Sequence, residues 1–155
     1  MAFDAAAGKA LFDQLISHAL TLGVFDRAAS HEPKSAPGSG ISYALWLDSI
    51  DPLPNASGLA AVSGRVAFGG RIYMSFNAKP EDSIDPRVLA ATCALLAEYS
   101  GNFTLGGTVR NIDLLGEFGE ALSAQAAYME QDGKLYRVMD IKIPVIINDL
   151  WTETP

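Results

Sequence analysis

The chain reads as an α+β domain: a mainly antiparallel or mixed β-sheet with two α-helices packed on one face, in the order α-β-β-α-β-β-β. Three observations predict this class. Two segments carry apolar residues at helical spacing, several runs alternate apolar with polar residues, and the two kinds do not alternate as β-α-β units. A length of 155 residues predicts one domain, and 49% apolar residues supply a core without metal or disulfide staples.

Asp4 predicts the N-cap of a first helix. Leu11, Phe12, Leu15, Ile16, Ala19 and Leu22 share one side of it, Asp13, Gln14, Ser17 and His18 the other, and Gly23 supplies the stop. Residues 30–40 contain Pro33, Pro37, Gly38 and Gly40 without apolar period, which predicts an exposed, mobile loop. A strand is expected over 41–50 and a second loop over 51–62. The clearest strand is 65–76: Val66, Phe68, Ile72, Met74 and Phe76 fall on one face, Arg65, Arg71, Tyr73 and Ser75 on the other. Asp85 as N-cap and Pro86 at the first helical position predict a second helix closed by Gly101. Its apolar flank combines Val88, Thr92, Leu95 and Tyr99 with Leu89, Cys93 and Leu96. Strands follow at 108–115, 122–130 and 134–147, the last two joined by Asp132-Gly133, a strong hairpin signal. Pro144 cannot donate to a ladder, so it belongs at an edge, a bulge or just past the paired part. Residues 148–155 are expected to form a tail.

Eleven Lys and Arg against 18 Asp and Glu give a net charge of −7, which argues against nucleic-acid phosphates or anionic lipid as the main binding surface and favours protein partners. Asp4, Lys9 and Asp13 interrupt the start of the chain, so no secretory signal is expected, and the run 88–97 is far short of the ~20 residues that span a bilayer. The single Cys93 cannot form an internal disulfide, which makes synthesis in a cytoplasm the expectation. The sequons at Asn55 and Asn102 carry no weight without an export signal.

The inventory for catalysis is thin. His18 reads as a solvated helix histidine, His31 as a loop imidazole beside Glu32, and neither has a metal-ligand neighbour. Cys93 reads as a small hydrophobe on the inner flank of its helix. The run from Gly58 to Arg65 has the wrong glycine spacing for a phosphate loop, and Arg where Lys-Ser/Thr is needed. Gly69-Gly70 marks a bulge or close backbone approach, and Gly106-Gly107 a turn. Asp48 with Asp51, and Glu117 with Glu120, lie beside turn signals as an acidic rim. The expectation is a protein without enzymatic activity, cofactor or metal. A mean hydropathy of +0.17 is high for a small monomer, and apolar residues occur in predicted loops. The candidate subunit or partner interface residues are therefore Lys34, Leu53, Pro54, Leu59, Arg65, Arg71, Phe118 and Trp151.

Several segments together carry a resemblance: 31–38 (His-Glu-Pro-Lys-Ser-Ala-Pro-Gly), Gly58-Leu59-Ala60, the run from Gly106 to Gly116, 132–139 (Asp-Gly-Lys-Leu-Tyr-Arg-Val-Met) and Asn148-Asp149-Leu150-Trp151. Over nearly the whole chain they resemble a family of small structural proteins from long-tailed bacteriophages of actinobacteria, most like the tail-terminator (minor tail protein U-like) family. That resemblance implies a homohexameric ring that caps the tail tube, ends its polymerisation and forms the head-tail joining surface. The implied partners are further copies of the chain, the major tail-tube protein and a head-completion or connector protein, with DNA passing through the lumen without specific binding and no membrane. The implied location is the virion, after assembly in the host cytoplasm. A head-completion or neck connector protein is the alternative, and a small ligand-binding domain or enzyme a third reading.

Overall fold

Asp4 caps the first helix as its position predicts: its carboxylate accepts the Ala7 N–H at 2.9 Å, and α1 runs Ala5–Thr21 until Gly23 turns the chain at φ 68°. The computed structural model describes residues 3–34 and 37–154; Ser35 and Ala36 of the predicted 30–40 loop and Pro155 of the predicted tail lie outside the described residues. The remaining elements are β1 (Arg27–Ala29), β2 (Ile41–Pro52), β3 (Ala61–Ser75), α2 (Ile84–Gly101), β4 (Asn111–Ile112), β5 (Ser123–Gln131) and β6 (Lys134–Thr152), with short 3-10 turns at Pro54–Ala56, Glu81–Ser83 and Leu105–Gly107. The class is α+β, with both helices packed against one curled, mixed sheet. No helix among the described residues is long and apolar enough to cross a membrane.

The sheet runs β1-β2-β3-β6-β4, with β5 also on β6. All pairs are antiparallel except β1 with β2, and β1 is a strand the sequence reading lacks. Strand β6 is the spine. It lies against β3 from Tyr136 to Thr152, with a register shift between Ile147 and Trp151, while its other side meets β5 over Lys134 to Lys142 and then β4 at Val145 and Ile146. Pro144 sits in this interior strand, at the step between β5 and β4. Its carbonyl accepts the Asp113 N–H at 2.8 Å, and the Asp113 carbonyl, to which a proline has no N–H to donate, accepts the Leu122 N–H at 2.9 Å instead.

The face beneath the helices is the main core. Val66, Phe68, Ile72 and Met74 of β3 join Tyr43, Leu45, Ile141, Ile143 and Val145, covered by Leu11 and Leu15 of α1 and Val88, Leu95 and Tyr99 of α2. Within it the Tyr43 and Tyr99 hydroxyls lie 3.0 Å apart, and Tyr99 donates to the Leu15 carbonyl at 2.9 Å, which ties both helices to the sheet. Burial pushes both phenol pKa values well above the ordinary 10.0.

Several sequence expectations require correction. Helix α2 begins at Ile84 after Ser83, so Asp85 is inside its first turn rather than its cap. Of the predicted flank, the Val88–Thr92–Leu95–Tyr99 stripe is buried and Leu96 half-buried, whereas Leu89 and Cys93, rotated about 100° from the stripe, face solvent. His18 is not a solvated histidine, because its Nδ1 lies 3.0 Å from Glu98 Oε1 and bridges the helices. The strand expected at 108–115 shrinks to Asn111–Ile112. The Asp113 carboxylate accepts the N–H groups of Gly116, Glu117 and Phe118 at 2.9 to 3.0 Å and turns the chain into a loop. Residues 148–152, expected in a tail, extend β6, while Asp51 and Pro52 belong to β2 and Ala61 and Val62 to β3. Phe76 lies just past β3 and is exposed.

Candidate interaction surfaces

The sheet face away from the helices is organised around Arg71. Alternation in β3 puts Arg71 and Tyr73 on this side, and the β3–β6 register sets Arg71 opposite Asp140. Arg71 Nε donates to Asp140 Oδ1, Nη1 donates to the Tyr73 hydroxyl at 3.3 Å and lies 3.1 Å from Met129 Sδ, and Glu32 approaches to 3.7 Å. The guanidinium carbon is 5.3 Å from the Trp46 ring centroid and 5.7 Å from that of Tyr73. Burial alone would lower the Arg71 pKa; the bonds to Asp140 and Tyr73 outweigh it, so the pKa is raised. Burial also raises that of Tyr73. Ala44, Tyr73, Tyr136 and Val138 form a small second core here.

The glycine pair makes both faces possible. A Cβ on Gly69 would lie 2.7 Å from Trp46 Nε1, and one on Gly70 would lie 3.0 Å from the Tyr43 ring, so an aromatic side chain rests on the backbone from each side. This is the close approach that the sequence signals.

Two loops cross the outer face. In the 30–40 loop, the Pro33 carbonyl accepts from Gln131 Nε2 at 3.0 Å, the Gly38 N–H donates to the Tyr136 hydroxyl at 3.3 Å, and Arg27 donates to the Ser39 carbonyl. Beneath this arch is a cavity of about 360 Å³, with Arg27, His31 and Lys34 on its rim and Ser42 and Tyr73 in its wall. At the other end of the sheet, Arg65 Nη1 donates to the Phe118 carbonyl at 2.9 Å and Nη2 lies 3.4 Å from Asp51, while the Arg110 guanidinium lies 5.2 Å from the Phe118 ring centroid.

Strand β5 has an open edge. The two-residue Asp132-Gly133 turn, with φ of 52° and 73°, makes Gln131 and Lys134 the closing pair, so Ala124, Ala126, Tyr128 and Glu130 turn their N–H and C=O groups outward. Among the described residues no strand pairs there. The strand contains no Pro, Lys, Arg or bulge to blunt that edge.

No protein-family model matches the chain, and no curated protein matches it.

The eight residues singled out from sequence do not form one site. Leu53 is buried in its own domain, Phe118 is half-buried beneath Arg110, and Arg65 and Arg71 are engaged within the chain. Lys34 is exposed on the arch. Pro54, Leu59 and Trp151 are exposed together at the far end of the sheet, Trp151 opposite Val62 and Leu59 fully accessible at 101%. Sequence reasoning missed Trp46, Asp140 and the β5 edge. The Asp-Gly turn carried the signal for that edge, whereas Arg71 with Asp140 needs a β3–β6 register that no local pattern contains. Among the described residues no group of three or more His, Cys, Asp or Glu is arranged to hold a metal ion.

Proposed function

We propose that this chain is a virion structural protein of a long-tailed bacteriophage. In this reading it is the tail terminator, whose subunits close into a ring that caps the tail tube and presents the joining surface for the head. The observation that carries the reading is the open edge of β5, a nine-residue strand with one side unpaired among the described residues. A free edge of that length invites pairing with another chain, and a subunit that works inside a closed assembly has its edge covered there. The exposed Leu59 and Leu115, on loops rather than in a cleft, support the same reading, as does the sequence resemblance. The protein acts by assembly, and its partners are its own copies, the tube protein and a head-completion protein.

Light scattering behind a sizing column, followed by addition of polymerising tube protein, tests this. Six subunits of 16.5 kDa give a ring of about 99 kDa. The expected result is that mass, with tubes that stop growing once capped. A ring that ignores the tube and binds the portal assembly would replace the terminator by a neck connector. A monomer without effect on tube growth would overturn both.

A further inference from the structure

Beside the open edge of β5, on the helix side of the sheet, lies a cleft of about 520 Å³ between the end of β3 and the first turn of α2. Its apolar walls are the rings of Phe76 and Tyr128, with centroids 5.5 Å apart and the two residues 41% and 58% exposed. Its rim is acidic, with Glu81, Asp82 and Asp85. Glu81 pairs with Lys79, and Asp85 with Arg137. Asp82 is left as an exposed carboxylate without a partner among the described residues, and so is Glu130, which alternation puts on the same side of β5 as Tyr128. Arg137 shows how this place holds a cation: its guanidinium carbon is 4.3 Å from the Tyr128 ring centroid, and its Nε donates to Asp85 at 3.0 Å.

Tyr128 belongs to both the cleft and the edge. Its N–H and C=O turn outward with those of Ala124, Ala126 and Glu130, so a strand added there puts the residue opposite Tyr128 on the same face, over the cleft. A long cationic side chain at that position lies along the exposed ring and reaches Asp82, whereas an acidic one meets like charge. The edges of a second copy do not offer that cation. Strand β5 contains no Lys or Arg, and the part of β2 beyond its pairing with β1, Leu45 to Pro52, contains Asp48 and Asp51 and no cation. Strands β1 and β4 are only three and two residues long.

We infer that the β5 edge accepts an extended, basic segment of a different protein, which adds a strand to the sheet and places a Lys or Arg opposite Tyr128, in the cleft beside Asp82. Affinity comes from main-chain bonds to Ala124, Ala126, Tyr128 and Glu130, and selectivity from the carboxylates and the aromatic walls. The inference rests on the reading of this edge as an assembly contact and names the chemistry of its occupant.

Two end-blocked peptides matched in length to β5, alternating Thr and Val around a central Arg in one and a central Glu in the other, test it by fluorescence anisotropy and amide NMR shifts. The expected result is that the Arg peptide binds about ten-fold or more tighter than the Glu peptide, less tightly as salt rises, with shifts centred on Ala124 to Glu130. Asp82 is exposed and without a partner, so Asp82→Lys leaves the fold intact and should cancel the preference for Arg. Ala126→Pro removes an outward N–H from an edge strand and should abolish binding of both peptides. Binding of neither peptide, equal binding of the two, or a preference unchanged in Asp82→Lys overturns the inference. If the chain nevertheless assembles and caps tubes, only this occupant is lost; if it stays monomeric and leaves tube growth unchanged yet selects the Arg peptide, the cleft stands and the ring falls.

Discussion

The two faces of the sheet are held by different physics. Beneath the helices, Ile72, Leu45, Ile143 and Val145 are fully enclosed, and the stabilisation is non-directional apolar burial crossed by one hydrogen-bonded tyrosine pair. On the outer face, arginines do the holding: Arg27 and Arg65 tie down the two loops, and Arg71 at the middle makes charge-assisted bonds to groups that water also reaches, the Asp140 side chain being 44% exposed and that of Glu32 61%. The inner face should therefore respond to lost volume and ignore salt. The outer face should respond to lost charge and weaken with ionic strength.

The largest expected effect is on the inner face. Ile72 is fully buried on the inner face of β3, so Ile72→Ala should destabilise the protein by about 2–5 kcal/mol through lost transfer energy and the cavity left behind. Urea unfolding with an unchanged slope checks this; a loss under about 1 kcal/mol would mean that the helices collapse onto the gap. On the outer face, Arg71→Met keeps most of the aliphatic stem but removes the bonds to Asp140 and Tyr73. It should cost about 1–3 kcal/mol, discounted from a fully buried pair because Asp140 is half-exposed. A double-mutant cycle with Asp140→Asn should return a coupling that shrinks in 1 M salt. A salt-independent coupling would move this contact into the same class as the inner face.

Next in size is the tyrosine pair, where the inner face is polar. Tyr99→Phe leaves the Tyr43 hydroxyl without its partner and should cost about 1–2 kcal/mol. The pH dependence follows from the raised pKa values. Both phenols stay neutral in the folded chain above their ordinary 10.0, so the unfolded chain loses these protons first as pH rises. Their contribution is whole below about pH 10 and declines above it, and the decline should be shallower in Tyr99→Phe. Equal slopes in the two proteins would mean that these phenols are not what alkali attacks.

How far each face was legible in the sequence follows from the range of its interactions. The inner face is written in local periods: Leu11, Leu15 and Ala19 at helical spacing, Val66, Phe68, Ile72 and Met74 at alternate positions, and an Asp-Gly turn that fixes the β5–β6 register. The failures have local competitors. At 108–115 the alternation is real, but the Asp113 carboxylate offers three backbone N–H groups an alternative to a ladder. Residues 148–152 read as a tail, yet β3 is long enough to pair there, Val62 opposite Trp151 and Ala61 opposite Thr152. The outer face depends on residues far apart in the chain. Arg71 was visible as an outward-facing charge, but its fate was decided by Asp140, Trp46 and Glu32, which no window of sequence brings together. An arginine on the polar side of a strand therefore looks like an interface residue even when its own chain uses it.

The smallest expected effect on stability separates the faces from the ends. Leu59 is completely accessible and touches neither face of the sheet, so Leu59→Ser removes no buried area from the monomer. Its unfolding free energy should stay within about 0.5 kcal/mol of the wild type. A leucine held fully in water at a loop tip contributes nothing to the fold that places it there, and replacing it with serine removes an apolar liability. If the far end of the sheet docks on another subunit, the same substitution should weaken assembly several-fold in sedimentation while leaving urea unfolding unchanged. Loss of monomer stability instead would mean that Leu59 folds back over Trp151 and Val62 in solution, which would make the far end a third small core rather than a contact surface.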